Sequence, residues 1–154
     1  MHSRKEIAIQ HFFNGHNCSQ SVVAAFADIS DISKDDLLKL ACGFGGGMGR
    51  LGETCGAVTG AYMVISLKHG QKAHDDEDSR ELTYKLVQNF ETSFKARHQT
   101  THCLELLGCS LRTPEGQQKF KNEDLKNKVC TPCVESTIHI LESILQINSQ
   151  LHTT

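Results

Sequence analysis

The residues in this chain best able to do chemistry are its cysteines. There are seven, at positions 18, 42, 55, 103, 109, 130 and 133. An odd number cannot pair completely within one chain. In a reducing compartment such enrichment points to metal binding or redox work rather than to structural disulfides. Cys130-Thr131-Pro132-Cys133 is the one short cysteine motif. Two sulfurs at that spacing at the start of a helix can meet, and one of them can hold a lowered pKa. The alternative is a chance pair, partly buried at a helix start. Thioredoxin-like proteins carry proline in the same place, but no strand precedes the pair here and no βαβ pattern surrounds it.

A second feature stands at the centre of the chain. Six glycines fall between positions 43 and 52, in Gly43-Phe44-Gly45-Gly46-Gly47-Met48-Gly49-Arg50-Leu51-Gly52. Such a run marks positive φ or close backbone approach, and no ordinary helix or strand would keep it. Thr54 then reads as an N-cap, with Cys55 in the first turn of a helix that runs to Lys68 and stops at Gly70. The plainer alternative is a surface loop before a core helix that happens to bury a cysteine. Gly45, Gly46, Gly47 and Gly49 are the candidate cofactor contacts. The spacing from Gly47 to Gly52 fits a dinucleotide loop, but the required strand is missing. No Gly-Lys-Ser/Thr follows, so a P-loop is excluded.

The other elements that must position these residues are helical. Ser3 caps a helix over 3–14 with Ile7, Ala8, His11 and Phe12 on its apolar side, and Asn17 caps the next. Ser33 caps Lys34 to Ala41, with Asp35 and Asp36 early, where the helix dipole favours them. Leu82, Leu86, Phe90 and Phe94 recur every four residues in a long amphipathic helix from Ser79 to about Gln99. Cys103 to Leu107 reads as a short helix stopped by Gly108. An irregular, charged segment runs from Pro114 to about Val129. Thr131 caps a last helix, with Pro132 at its first position and Val134, Ile138, Leu141 and Leu145 on one face. No period-two strand appears. The expected fold is all-α: one compact, bundle-like domain over residues 1–154, with about six helices and the glycine-rich loop before the central one.

On this map Cys18, Cys55, Cys103 and Cys133 occupy first turns, where unsatisfied N–H groups and the helix dipole stabilise a thiolate. A thiolate is both the nucleophile of disulfide exchange and the ligand for iron or zinc. Cys42 reads as packing and Cys109 as ambiguous. His98 and His102 stand four apart, as metal ligands on one helix face would, although nine histidines make such a spacing common by chance.

Composition limits the alternatives. With 154 residues the chain can bury one core, and a net charge of −2 argues against a nucleic-acid footprint. The lysines between Lys119 and Lys128 are interrupted by Glu123 and Asp124 and read as a solvated face. No signal peptide and no membrane span is expected, which places the protein in the cytoplasm.

Taken together, the chain resembles the redox-active family named for its pattern Cys…Gly-Cys-Ala-x-x-Gly…Cys…Cys. The resemblance rests on His16-Asn17-Cys18-Ser19-Gln20, on Gly43-Phe44-Gly45-Gly46-Gly47-Met48-Gly49-Arg50, on Glu53-Thr54-Cys55-Gly56-Ala57-Val58-Thr59-Gly60, and on Cys103 and Cys130. The order Cys55-Gly56 reverses the Gly-Cys of the family's name. The resemblance implies that Cys18, Cys55, Cys103 and Cys130 are the functional cysteines, with Cys42, Cys109 and Cys133 as extras of this chain. The chain is also similar to the non-haem part of split-Soret cytochromes, which implies that four such thiolates can hold an iron–sulfur cluster. No Cys-x-x-Cys-His is present for covalent haem.

Three readings follow. The first is a redox centre of four cysteines, an oxidoreductase or electron carrier. It works either as a dithiol, with Cys55 or Cys18 attacking and a second cysteine such as Cys133 resolving, or as ligands of an iron–sulfur cluster. The second is a binding module in which the same four thiolates hold zinc without turnover. The third is a structural protein with buried cysteines, its glycine loop serving a partner or a homo-oligomer contact. The redox partner is not named by the sequence.

Overall fold

A computed structural model describes residues 2–148. The helices in chain order are α1 (Arg4–Phe13), α2 (Cys18–Ala24), α3 (Lys34–Ala41), a single turn α4 (Gly45–Met48), α5 (Gly56–His69), α6 (Glu77–His98), α7 (Cys103–Leu107), α8 (Pro114–Asn122) and α9 (Thr131–Leu145). Among the described residues there is no strand. One isolated antiparallel bridge joins Thr54 to His102.

Local side-chain chemistry starts several of these helices. Ser3 and Asn17 both form capping boxes, with Glu6 and Gln20 returning a bond to the cap residue's own amide. The Ser33 hydroxyl accepts from the Asp36 amide at the start of α3. Packing then decides which helix lies in the middle. Gly56, Ala57, Val58, Thr59, Gly60, Ala61, Val64 and Ile65 of α5 are all buried, so the first half of the helix is enclosed by its neighbours, while Ser66 and Lys68 near its end are exposed. α2, α6 and α9 surround it. Phe90 and Phe94 of α6, Val22 and Val23 of α2, and Val134, Ile138 and Leu141 of α9 complete this core.

Two segments differ from the expectation. The stretch after Pro114, read as irregular, contains α8: Thr113 caps it by accepting from the Gly116 amide at 3.0 Å, and Pro114 takes the first helical position. With Phe120 as its one large apolar residue it shows no apolar period, while proline at that position needs no N–H partner. Thr131 is not a cap. A π-helical turn over Lys126–Cys130 runs directly into α9, and the Thr131 hydroxyl donates to the Lys126 carbonyl at 3.0 Å. On α6 the apolar stripe is deep only at its C-terminal end, since Leu82 stays exposed and Phe90 and Phe94 are fully buried.

A buried arginine ties the N-terminus to this frame. The Arg4 guanidinium donates to the Ala25 carbonyl and to both carboxylate oxygens of Asp28. Its planar fork matches the carboxylate in two parallel bonds. No helix among the described residues is long and apolar enough to cross a membrane.

Candidate functional site

The glycine segment follows an unusual path. Gly46, Gly47, Met48, Gly49 and Arg50 have φ of 68°, 68°, 65°, 61° and 69° in succession, which makes a left-handed turn. For residues with a side chain that hand costs about 1–2 kcal/mol each, so three of the five positions being glycine is what makes the turn affordable. Gly47 is required for a second reason: a Cβ there would lie 2.5 Å from Cys103 Cβ and 2.9 Å from the backbone N and O of Glu53.

After the turn the chain is strapped to the segment before α7. The Cys55 amide donates to the Thr101 carbonyl at 2.7 Å, the Cys103 amide to the Glu53 carbonyl at 2.7 Å, and the Leu104 amide to the Gly52 carbonyl at 3.1 Å. Thr54 therefore pairs across to His102 instead of capping a helix, and Cys55 itself takes the N-cap position of α5. On the other side the Asn17 side chain donates to the Cys42 carbonyl at 2.8 Å, which fixes α2 against the end of α3.

These ties gather the sulfurs. Cys18, Cys42, Cys55, Cys103, Cys130 and Cys133 all line one cavity of about 520 Å³, together with Gly45, Gly46 and Gly49. The four cysteines implied by the resemblance are thus brought to one place from α2, α5, α7 and the π turn. Cys133, read as an extra or a resolving thiol, joins them. Cys42, read as packing, is exposed. Cys109 does not line the cavity.

The thiols differ in ionisation. Cys55 is lowered below the ordinary thiol value, chiefly because the Cys133 thiol donates to it, and this outweighs its burial. Its sulfur makes no capping hydrogen bond, yet the Ala57 and Val58 amides at the start of α5 favour its charged form. Cys133 is correspondingly raised, first by giving its hydrogen to Cys55 and then by burial. Burial also pushes Cys18 up to about 11, although the Gly46 and Ser19 amides favour its thiolate. It pushes Cys103 up to about 12. Burial raises Cys130 as well. Cys18, Cys103 and Cys133 do lie in first turns but are raised, whereas the lowered thiol, Cys55, stands at an N-cap and owes its lowering chiefly to Cys133. α2 and α7 are only seven and five residues long, and desolvation outweighs what such short helices supply.

The family model described as "Putative redox-active protein (C_GCAxxG_C_C)" matches residues 16–144. The chain belongs to this family. No curated protein and no solved structure matches it. The Cys-Gly order of this family member has a packing reason. A Cβ at Gly56 would lie 2.5 Å from Cys18 Sγ and 3.0 Å from the Phe44 carbonyl oxygen, so a side chain at 56 would occupy the space of the Cys18 thiol.

Sequence reasoning missed His98 as a neighbour of the thiols. Its Nδ1 lies 3.9 Å from Cys133 Sγ, its ring leans on Phe94, and its buried Nε2 has no partner among the described residues. His102 lies outside that contact, beside Thr54. Among the described residues no group of three or more His, Cys, Asp or Glu side chains is disposed to hold a metal ion.

Proposed function

We propose that this member of the redox-active family carries out thiol–disulfide exchange, with Cys55 as the attacking thiolate and Cys133 as the resolving thiol. One observation carries the reading: the enclosed Cys55 and Cys133 sulfurs share the wall of a cavity that six thiols line, and the Cys133 thiol is the main cause that holds Cys55 below the ordinary thiol value. A thiolate of lowered pKa beside a protonated partner is the arrangement that exchange needs.

The Cys55 thiolate attacks one sulfur of a disulfide R–S–S–R, the S–S bond breaks, and RS⁻ leaves with the electron pair. Cys133 then gives up its proton and attacks the Cys55 sulfur of the mixed disulfide. That step forms the Cys55–Cys133 bond and displaces the second thiolate, which accepts the proton. Two protein thiols are oxidised and one disulfide is reduced to two thiols. The neutral His98 imidazole, whose pKa burial lowers, offers a second acceptor for the Cys133 hydrogen.

Ligation of an iron–sulfur centre or zinc by Cys18, Cys55, Cys103 and Cys130 is the second reading, supported by their sharing one cavity. As placed, the thiols do not form a ligand set, so exchange stands first.

The test is to treat reduced protein with a small disulfide and count thiols. Wild type is expected to lose two. Cys55→Ser loses neither, and Cys133→Ala stops at a mixed disulfide visible by mass. Loss of two thiols by Cys55→Ser at the wild-type rate would overturn the assignment. Iron with sulfide, or zinc, bound stoichiometrically in anaerobically purified protein would move the second reading to first place.

A further inference from the structure

The cavity around Cys55 and Cys133 has a marked asymmetry in its lining. Arg50, Lys126 and His16 contribute positive or protonatable groups, and among the described residues no aspartate or glutamate lines it. The whole chain carries a net charge of −2, so this cationic lining is a local arrangement and not a reflection of composition. Arg50 and Lys126 make no ion pair among the described residues.

Both cations are placed by the fold. Arg50 is the last residue of the left-handed turn, at φ 69°, and its stem lies over Gly46, where an added Cβ would meet Arg50 Cγ at 3.0 Å. The Lys126 ammonium is held by the Phe12 carbonyl at 2.9 Å and stands 4.6 Å from the centre of the Phe12 ring. A held ammonium at Lys126 and an exposed guanidinium at Arg50, with no ion-pair partner among the described residues, favour an anion at this cavity. The remaining wall, with Leu107, Leu111, Phe120 and Val129, is apolar.

Access sets the size of the reacting partner. Cys55 is 7% exposed and Cys133 1% exposed. A disulfide within a folded protein cannot bring its sulfurs to atoms so enclosed. A solute that enters the cavity can, and about 520 Å³ lies in the range of small-molecule pockets.

We infer that the disulfide which reacts at this site is a low-molecular-weight one bearing carboxylate groups, with Arg50 and Lys126 receiving the carboxylates. The inference rests on the Cys55–Cys133 reading and narrows its substrate class. The bond changes are those already given: the small disulfide is reduced to two thiols as the Cys55–Cys133 bond forms.

Three disulfides of similar size and different charge test it on the full-length reduced protein: dithiodiglycolate, bis(2-hydroxyethyl) disulfide and cystamine. Each rate is divided by that disulfide's rate with free dithiothreitol, to remove leaving-group effects. The anionic compound is expected to react about tenfold faster than the neutral one at low salt, and cystamine slowest. High salt should compress the differences, because exposed cations are screened. R50Q and K126Q should each erase much of the anionic preference, and R50K should keep it. Equal normalised rates for the three compounds, or an unchanged preference in both R50Q and K126Q, would overturn the charge inference and leave the exchange reading standing. Faster oxidation by a protein disulfide such as insulin would overturn the size argument. No reaction with any disulfide would remove both readings.

Discussion

Around the middle of α5, burial is a matter of side chains. Val58, Phe90, Phe94, Ile138 and Leu141 come from regular helices and are fully enclosed by one another. Around Cys55, burial is a matter of backbone path. A left-handed turn, three inter-segment hydrogen bonds and a π turn bring thiols together from four parts of the chain. The first region can lose a methylene and relax in part, because neighbouring rotamers adjust. The second has little such freedom, since its contacts at Gly47 and Gly56 are with backbone atoms or with a reactive sulfur. Stability is thus concentrated in one region and chemical placement in the other, and α5 links them by running from Cys55 into the core.

This contrast can be broken from either side. The largest effect on stability is expected in the bundle. Phe90→Ala removes a fully buried ring and should cost about 3–5 kcal/mol in denaturant unfolding. The remaining folded molecules should alkylate at Cys55 with the wild-type rate. A changed rate would mean that the two regions are not separable.

Gly47→Ala comes next. The left-handed conformation costs about 1–2 kcal/mol and overpacking about 1–3 kcal/mol, so a loss of about 3 kcal/mol is expected. Here the readout differs in kind: alkylation of Cys55 and Cys103 by iodoacetamide should change in the folded protein as well. Wild-type thiol reactivity in that variant would show that the turn does not place the sulfurs.

Alkaline pH should separate the regions more gently. In the reduced folded protein Cys18 and Cys103 titrate at about 11 and about 12, against about 8.5 in an unfolded chain. A raised pKa contributes stability that is whole below the unfolded value and is lost as pH rises through the folded one. Cys55, being lowered, has the opposite sign: its contribution is present above the unfolded value and is lost as pH falls through its folded pKa. Cys130 and Cys133 are also raised, so four thiols oppose one. The melting temperature should fall from pH 8 to pH 10.5, with a shallower slope in Cys103→Ser. An identical slope in that variant would remove Cys103 from the account.

The smallest effect is a shift in a titration curve. Cys55 alkylation should rise with pH through a midpoint below the ordinary thiol value, and Cys133→Ala should move that midpoint upward by removing the donor. An unmoved midpoint would mean that Cys133 does not hold the thiolate.

Much of the frame was legible because it rests on contacts close in sequence. Ser3, Asn17 and Ser33 bond amides three residues ahead, so the motif and the structure are the same local event. The stripe Val134, Ile138, Leu141 and Leu145 is buried as its period required. α8 was hidden because Phe120 is its one large apolar side chain, so no apolar period marks it. Thr54 was misread because the strand-like pairing that claims it comes from Thr101 to Leu104, a segment with no sequence signal pointing back to it.

By itself the sequence determined an all-α chain with a glycine turn ahead of its central helix, thiols enough for redox work, and membership of a redox-active family. Those properties follow from local propensity, side-chain period and residue type, which distant neighbours do not alter. Only the tertiary structure decided which cysteines share a cavity, why residue 56 has no side chain, and that Cys55 is lowered while Cys18, Cys103, Cys130 and Cys133 are raised. A thiol's pKa is the balance of desolvation, hydrogen bonds and neighbouring charge. For Cys55 the donor that tips the balance comes from α9, and no spacing between them records that contact.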